Sequence, residues 1–241
     1  MRLCLPAYLL QIKELAAQIE DFFGVLLSNG TLRRWLKKWD YRWKRLRKSA
    51  KSRRNEVDFA FFKQELAILR NMEDKQEIDL YYFDETGFNL NPSVSYAWQP
   101  IGQTTEIPAT QSQNLTVLGF INKANHFVGH WIKGAANAEM VTKIFDDFCG
   151  QIKRTTVIVL DNCPTHKSTI FTEKIKVWRK KGLLIQFIPA YCPELNKIEI
   201  LWRNFKHRWI PPEAYQNTQT LQNQILDILR QIGTKYRITF E

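Results

Sequence analysis

Several features are missing from this chain of 241 residues, and each absence removes a class of function. No apolar run approaches the roughly 18–20 residues that a membrane-spanning helix requires, so no membrane partner is expected. The opening MRLCLPAYLLQIK is short and weakly patterned, and no small-residue cleavage site follows, so it does not read as a secretory signal. Cysteine is sparse. Cys4, Cys149, Cys163 and Cys192 are scattered without a C-x-x-C pair, which leaves free thiols of the kind found in cytosolic proteins. No G-x-x-x-x-G-K loop is present to cradle a nucleotide phosphate, which argues against ATP-driven chemistry. No Ser or Cys occupies a nucleophile elbow, and there is no internal repeat, low-complexity tract or coiled-coil heptad. Acid is scarce too, but only locally. Residues 1–54 hold 14 Lys and Arg against 4 Asp and Glu, a balance of +10, whereas residues 55–241 hold 21 against 20.

What remains is a chain with 44% apolar residues and eight tryptophans, enough for a packed core. Its length suits one catalytic domain with a small appendage. The net charge of +11 sits almost wholly in the first 54 residues, the electrostatic footprint of a polyanion partner. Residues 8–27 begin with a helical pattern that sets Leu10, Leu15, Ile19, Phe22 and Phe23 on one face, with Gly24 ending the helix. Ser28 or Asn29 then offers an N-cap for TLRRWLKKW, where Leu32, Trp35, Leu36 and Trp39 are expected to face inward and Arg33, Arg34, Lys37 and Lys38 outward. Helix, short glycine-containing turn and basic helix is the order of a helix-turn-helix reader of double-stranded DNA, although a solvated basic face has the same pattern. In residues 40–54, Arg42, Lys44, Arg45, Arg47 and Lys48 are interleaved with Tyr41 and Trp43, a mixture suited to phosphates and to stacking. A disordered basic linker is the other reading of that stretch.

Phe59, Phe62, Leu66 and Leu69 recur at helical spacing, so 55–72 is expected to be a connecting helix, with the charged MEDKQE after it as a linker ending at 76. From 77 onward the periodicity changes. Strands are predicted at 78–84, 115–121, 126–132, 156–161 and within LLIQFIP. Helices are predicted at 137–149, roughly 167–181, 194–209 and 217–232. Strands in succession, then strands alternating with helices, predict an α/β domain at 77–241: a mixed sheet flanked by helices, preceded by a small helix-turn-helix-like segment at 1–54.

Three carboxylates stand out in that domain. Val157, Ile158, Val159 and Leu160 are an uncharged, mostly β-branched run that ends at Asp161, followed by Asn162 and Pro164. Leu80 to Phe83 repeat the arrangement and end at Asp84, before Glu85, Thr86 and Gly87. A lone Asp in such a place usually caps a helix or starts a turn. The third, Glu199, lies at the edge of an apolar stripe of Leu195, Ile198, Trp202, Phe205 and Trp209. Two strand-tip carboxylates and one helical carboxylate, brought together, make an oxygen-rich site for Mg2+ or Mn2+. A pair of such ions clamps the attacking and leaving oxygens of a phosphodiester displacement.

Other candidates carry less. His126 and His130 fall in a strand pattern, on one face but about 13 Å apart, with no third ligand near in sequence. His166 follows Asp161 by five residues and is an accessory candidate with Asn162, either toward a phosphate or water or as part of a helix start. Glu85 and Glu194 are possible extra carboxylates; Glu194 follows Pro193, where a negative charge suits a first helical turn.

FDETGF, LDNCPTHKS and YCPELNKIEILWRNFK, in that order and with 37 residues between Asp161 and Glu199, resemble the three catalytic blocks of mariner-like DDE transposases, in particular their bacterial insertion-sequence branch. The resemblance covers residues 77–210 closely and 10–54 loosely. It implies an RNase H-like fold in which Asp84, Asp161 and Glu199 bind two divalent ions. It also implies cleavage at transposon ends, joining of the freed 3′-hydroxyl to target DNA, a possible homodimer at paired ends, and a cytoplasmic, nucleoid-associated setting. By position the third residue is Glu199, not Glu194. The sequence departs from the usual pattern at Lys197, where similar proteins have Pro, and at Cys192, where they have Ser. The family carries a further helix-turn-helix unit upstream, so an N-terminally truncated protein is expected. Two other functions fit the same residues: a DNA-binding remnant without catalysis, and a host RNase H-like nuclease.

Overall fold

A computed structural model describes residues 12–42, 51–91 and 114–240. Contacts divide the chain into two compact units, Met1–Ser49 and Ala50–Glu241. In the first, helix α1 (Ile12–Phe23) ends where Gly24 takes a left-handed φ of 65° and donates its N–H to Glu20 O. A residue with a Cβ would resist that turn. Helix α2 (Asn29–Lys38) starts at Ser28, whose hydroxyl accepts from Thr31 N–H. The inward face is narrower than the sequence implies. Leu15 and Leu32 are buried, but Phe22, Phe23, Trp35 and Trp39 are exposed. The two tryptophans, four apart on α2, lie against each other instead, with ring centroids 6.0 Å apart.

The second unit opens with helix α3 (Glu56–Asp74), capped by Asn55. It was expected to connect two domains, but Phe62 and Leu66 enter the core of this unit, and the helix packs against its first strand. The MEDKQE stretch is therefore in part the last turn of α3 and does not lie between the two units. Five strands follow: β1 (Asp79–Phe88), β2 (Leu115–Ile121), β3 (Phe127–Lys133), β4 (Thr156–Leu160) and β5 (Leu183–Phe187). Their spatial order is β3-β2-β1-β4-β5, with β1 antiparallel to β2 and parallel to β4. This is the mixed sheet the sequence predicts.

One strand is longer than its sequence suggests. Glu85, Thr86 and Gly87 look like the start of a turn, yet β1 runs on to Phe88 because β2 pairs with it from Tyr82 to Phe88. The parallel pairing with β4 ends earlier, at Tyr82 and Val159. Asp84 therefore lies inside a strand, at the level where one neighbour has stopped and the other continues.

Helices α4 (Ala138–Cys149) and α5 (Thr169–Lys180) cover one face of the sheet, where Phe83, Phe120, Phe145, Phe171 and Trp178 form a buried aromatic cluster. Helices α3, α6 (Ile198–Asn204) and α7 (Thr218–Arg230) contribute to the core on the other face. The helix predicted over 194–209 is interrupted. A single 3-10 turn at Pro193–Leu195 precedes α6, Asn196 is extended between them, and a π-helical turn at Phe205–Trp209 follows. The apolar stripe survives these breaks: Leu195, Ile198, Trp202 and Phe205 are all buried. No helix among the described residues is long and apolar enough to cross a membrane.

Candidate active site

Beyond the C-terminal ends of β4 and β5 lies a cleft of about 250 Å³, lined by Asp84 from β1, Asp161 and Asn162 after β4, Tyr191 and Asn196 after β5, and Glu199 from α6. The three carboxylates singled out in the sequence thus share one cavity, although they are separated by 77 and 38 positions along the chain. Ligands of open α/β sheets bind at this end of parallel strands.

Each carboxylate has a different environment. Asp161 is half-buried, and burial alone opposes its ionisation. His166 Nδ1 at 2.9 Å and the Cys163 N–H at 3.1 Å from its Oδ1 outweigh that effect and hold the carboxyl below the usual range. Asp84 is pushed up to about 8, first by burial and then by the charge of Glu199 and, more weakly, Asp161, against a backbone hydrogen bond that lowers it. Glu199 keeps an exposed face, yet the protein around its carboxyl and the charge of Asp161 raise it, while Lys206 pulls it down.

His166 has no exposed surface. It is wedged beside Phe83 and Phe171, with centroids 5.6 and 5.7 Å away, so its place is behind Asp161 and not against a phosphate in solvent. Its Nε2 has no hydrogen-bond partner among the described residues. Asn162 lines the cleft and donates from Nδ2 to Ile188 O, which ties the β4 exit to the β5 exit. Glu85, next along β1 from Asp84, points to the opposite face of the strand, and its carboxyl is raised by burial and lowered by His166. Glu194 is engaged by Arg54 at 2.6 Å. His126 bonds Tyr81 Oη through Nδ1, and burial pushes His130 down.

Two residues of this site were not singled out in the sequence. Lys206 is half-buried, and its charge is felt by both Glu199 and Asp84. Its spacing of seven from Glu199, two helical turns, was the available signal. Asn196 donates from Nδ2 to Phe83 O at 2.9 Å and accepts the Glu199 N–H at its main-chain oxygen, 3.2 Å away. Nothing in sequence ties an Asn to a carbonyl 113 positions earlier.

These donors fit a hard divalent cation. They are oxygen ligands with surplus negative charge, most clearly at Asp84, which a cation would relieve. Among the described residues no three His, Cys, Asp or Glu side chains are grouped so as to hold a metal ion where they stand, so these carboxylates would have to draw together around one. The cleft leaves room for the waters and substrate oxygens that Mg2+ retains.

Of the basic residues, Arg33, Arg34, Lys37, Lys38 and Arg42 are exposed in the first unit. Arg42 folds back to donate to Lys37 O at 2.9 Å, and so tethers the C-terminal end of α2. Lys44, Arg45, Arg47 and Lys48, with Trp43, lie outside the described residues.

Comparison with known proteins agrees with this geometry. A family described as "DDE superfamily endonuclease" matches residues 79–222, and a winged helix-turn helix family matches residues 6–66. The insertion element IS630 uncharacterized 39 kDa protein of Shigella sonnei is 24% identical over 196 residues, covering 78% of this chain and 54% of that protein. The chain thus spans about half the length of the curated relative it matches. Among solved structures, the Mos1 mariner paired end complex with Mn superposes with a TM-score of 0.61 at 16% identity, covering 91% of this chain and 66% of that one. The Mos1 strand transfer complex gives 0.58 at 14% identity, covering 95% and 73%. These likenesses establish an RNase H-like sheet, and the family match covers more than half of the sequence. The chain belongs to the DDE endonuclease superfamily.

Proposed function

We propose that this protein is a transposase that cuts DNA at transposon ends and joins the freed 3′-hydroxyl to target DNA, with Asp84, Asp161 and Glu199 holding two divalent cations, Mg2+ or Mn2+. The observation that carries the reading is the convergence of these three carboxylates on one cleft, with Asp84 pushed up to about 8 by its surroundings. Cations held by these carboxylates would supply an activated water or hydroxyl and would stabilise the leaving 3′-oxygen. The chain's own part is positioning. His166 and the Cys163 N–H keep Asp161 ionised and aimed; Asn162 braces the loop beside it. Lys206 sets a positive charge beside Glu199 and Asp84. The exposed Arg33, Arg34, Lys37 and Lys38 of α2, with the basic residues through Lys48, bind the duplex. Paired ends call for two copies, so a homodimer on nucleoid DNA in the bacterial cytoplasm completes the proposal.

The test is cleavage of a transposon-end duplex by the whole chain with Mg2+ or Mn2+ and with EDTA. Asp84→Asn, Asp161→Asn and Glu199→Gln should each reduce cleavage by at least about a thousandfold, since each removes a ligand, while duplex binding changes less than threefold. Full metal-dependent cutting by any of the three removes that residue from the site. Binding without cutting by the parent protein identifies a DNA-binding remnant.

A further inference from the structure

Asn196 is 3% exposed and lines the carboxylate cleft, and its two amide atoms have unequal fates. Nδ2 donates to Phe83 O, the carbonyl immediately before Asp84, whereas Oδ1 is buried with no partner among the described residues. The amide cannot be turned to exchange these roles. A flipped side chain would set Oδ1 against the Phe83 carbonyl, two acceptors face to face. An Asn beside a helix start ordinarily caps it, but α6 has no side-chain cap, so Asn196 is not spent on that task. It is spent across the chain. Its amide reaches β1 beside Asp84, and its main-chain oxygen holds the N–H of Glu199.

We propose that Asn196 is a positioning residue of the carboxylate site: bonded to the carbonyl before Asp84 and to the N–H of Glu199, it holds these two carboxylates in the register that a divalent cation in the cleft needs. The inference rests on the metal-dependent reading above. The extended conformation of Asn196 between the 3-10 turn and α6 follows from the same role, since a continuous helix would carry the side chain away from Phe83 O.

The deciding measurement is Mn2+ binding to the full chain, read by calorimetry and by the paramagnetic signal of free Mn2+, without DNA and without turnover. Parent protein, Asp161→Asn, Asn196→Ala and Asn125→Ala are compared. Asn125 is a control of similar structural kind: a 4% exposed Asn whose side chain clamps Ile238, outside the cleft lining. The expected result is Mn2+ affinity at least tenfold weaker in Asn196→Ala and unchanged in Asn125→Ala, although both lower the thermal midpoint. Parental affinity in a folded Asn196→Ala, with Asp161→Asn impaired, overturns the role of Asn196 and leaves the metal site standing. No binding by the parent, or equal binding by Asp161→Asn, overturns the metal site itself. If Asn196→Ala does not fold, Asn196→Ser is read in the same way, since it removes the amide and keeps a small polar side chain.

Discussion

His166 shows how much of a charged site is made by packing. The ring fills a pocket beside Phe83 and Phe171 and presents one N–H to Asp161. Packing and hydrogen bonding can be separated by substitution. His166→Phe should fold with a loss of about 1–3 kcal/mol, because it keeps an aromatic ring but one larger than imidazole in a closed pocket. It should lower metal-dependent cleavage at least about tenfold, because Asp161 loses its principal partner. His166→Ala should in addition lose about 2–4 kcal/mol to the cavity it leaves, as denaturant titration would read. Equal cleavage by His166→Phe and the parent would refute the role. A second residue makes a prediction away from the cleft. Glu73, near the end of α3, is pushed up to about 7, first by burial and then by Asp74 and Asp79, against the pull of Lys123 and Arg70. Its folded value lies above its unfolded one, so the native state holds the proton more tightly. Stability therefore declines as pH rises from about 4.5 to about 7, and the penalty is complete above that range. Glu73→Gln should flatten the decline and raise the unfolding free energy at pH 8 by an amount on the order of 2–3 kcal/mol, with a higher thermal midpoint. Thermal melts of both proteins across that range check it.

At the scale of elements, the seat of α6 depends on two glycines. Gly119 of β2 pairs with Asp84 on one side and with Gly129 of β3 on the other. A Cβ on either would come within 2.3 Å of the Phe127 ring, which lies over both. That ring meets Trp202 edge-on at 6.3 Å, and Trp202 stands one turn after Glu199 on α6. Gly119→Ala should therefore push on the helix that carries Glu199. A loss of about 1–3 kcal/mol in unfolding free energy, with cleavage reduced, is the expected outcome. Unchanged stability would mean that Phe127 turns aside freely. Elements also explain what could be read from sequence. Buried strands such as β4 announce themselves through unbroken apolar runs such as Val157 to Leu160, and the three carboxylates stand out because apolar residues flank them. The far half of β1 is hidden because Glu85 and Gly87, on either side of Thr86, have poor strand propensity; pairing with β2 makes the stretch a strand. The break at Asn196 was hidden for a similar reason, since the apolar spacing continues through it and the hydrogen bond to Phe83 is non-local. Trp35 and Trp39 have the spacing of a core stripe, but the described part of the first unit leaves them at the surface.

At the scale of the whole molecule, charge and chemistry are held in different stretches. The first 54 residues carry +10 of the net +11, and the three cleft carboxylates all lie beyond them. Replacing Arg33, Arg34, Lys37 and Lys38 together by Ala should weaken duplex binding and lower the slope of log K against log salt by up to about 3–4. A slope equal to the parent's, by fluorescence anisotropy over a salt series, would place the phosphate contacts elsewhere. The pairing of β1 adds a consequence in time. The β1-β2-β3 meander is built from neighbouring segments and can form while the chain is still being made, whereas β4, β5 and α6 must arrive later and join over long sequence distances. Until they do, Asp84 is a lone carboxylate on a half-finished sheet. The carboxylate cleft therefore comes into being only once β4, β5 and α6 have been made and have joined the sheet.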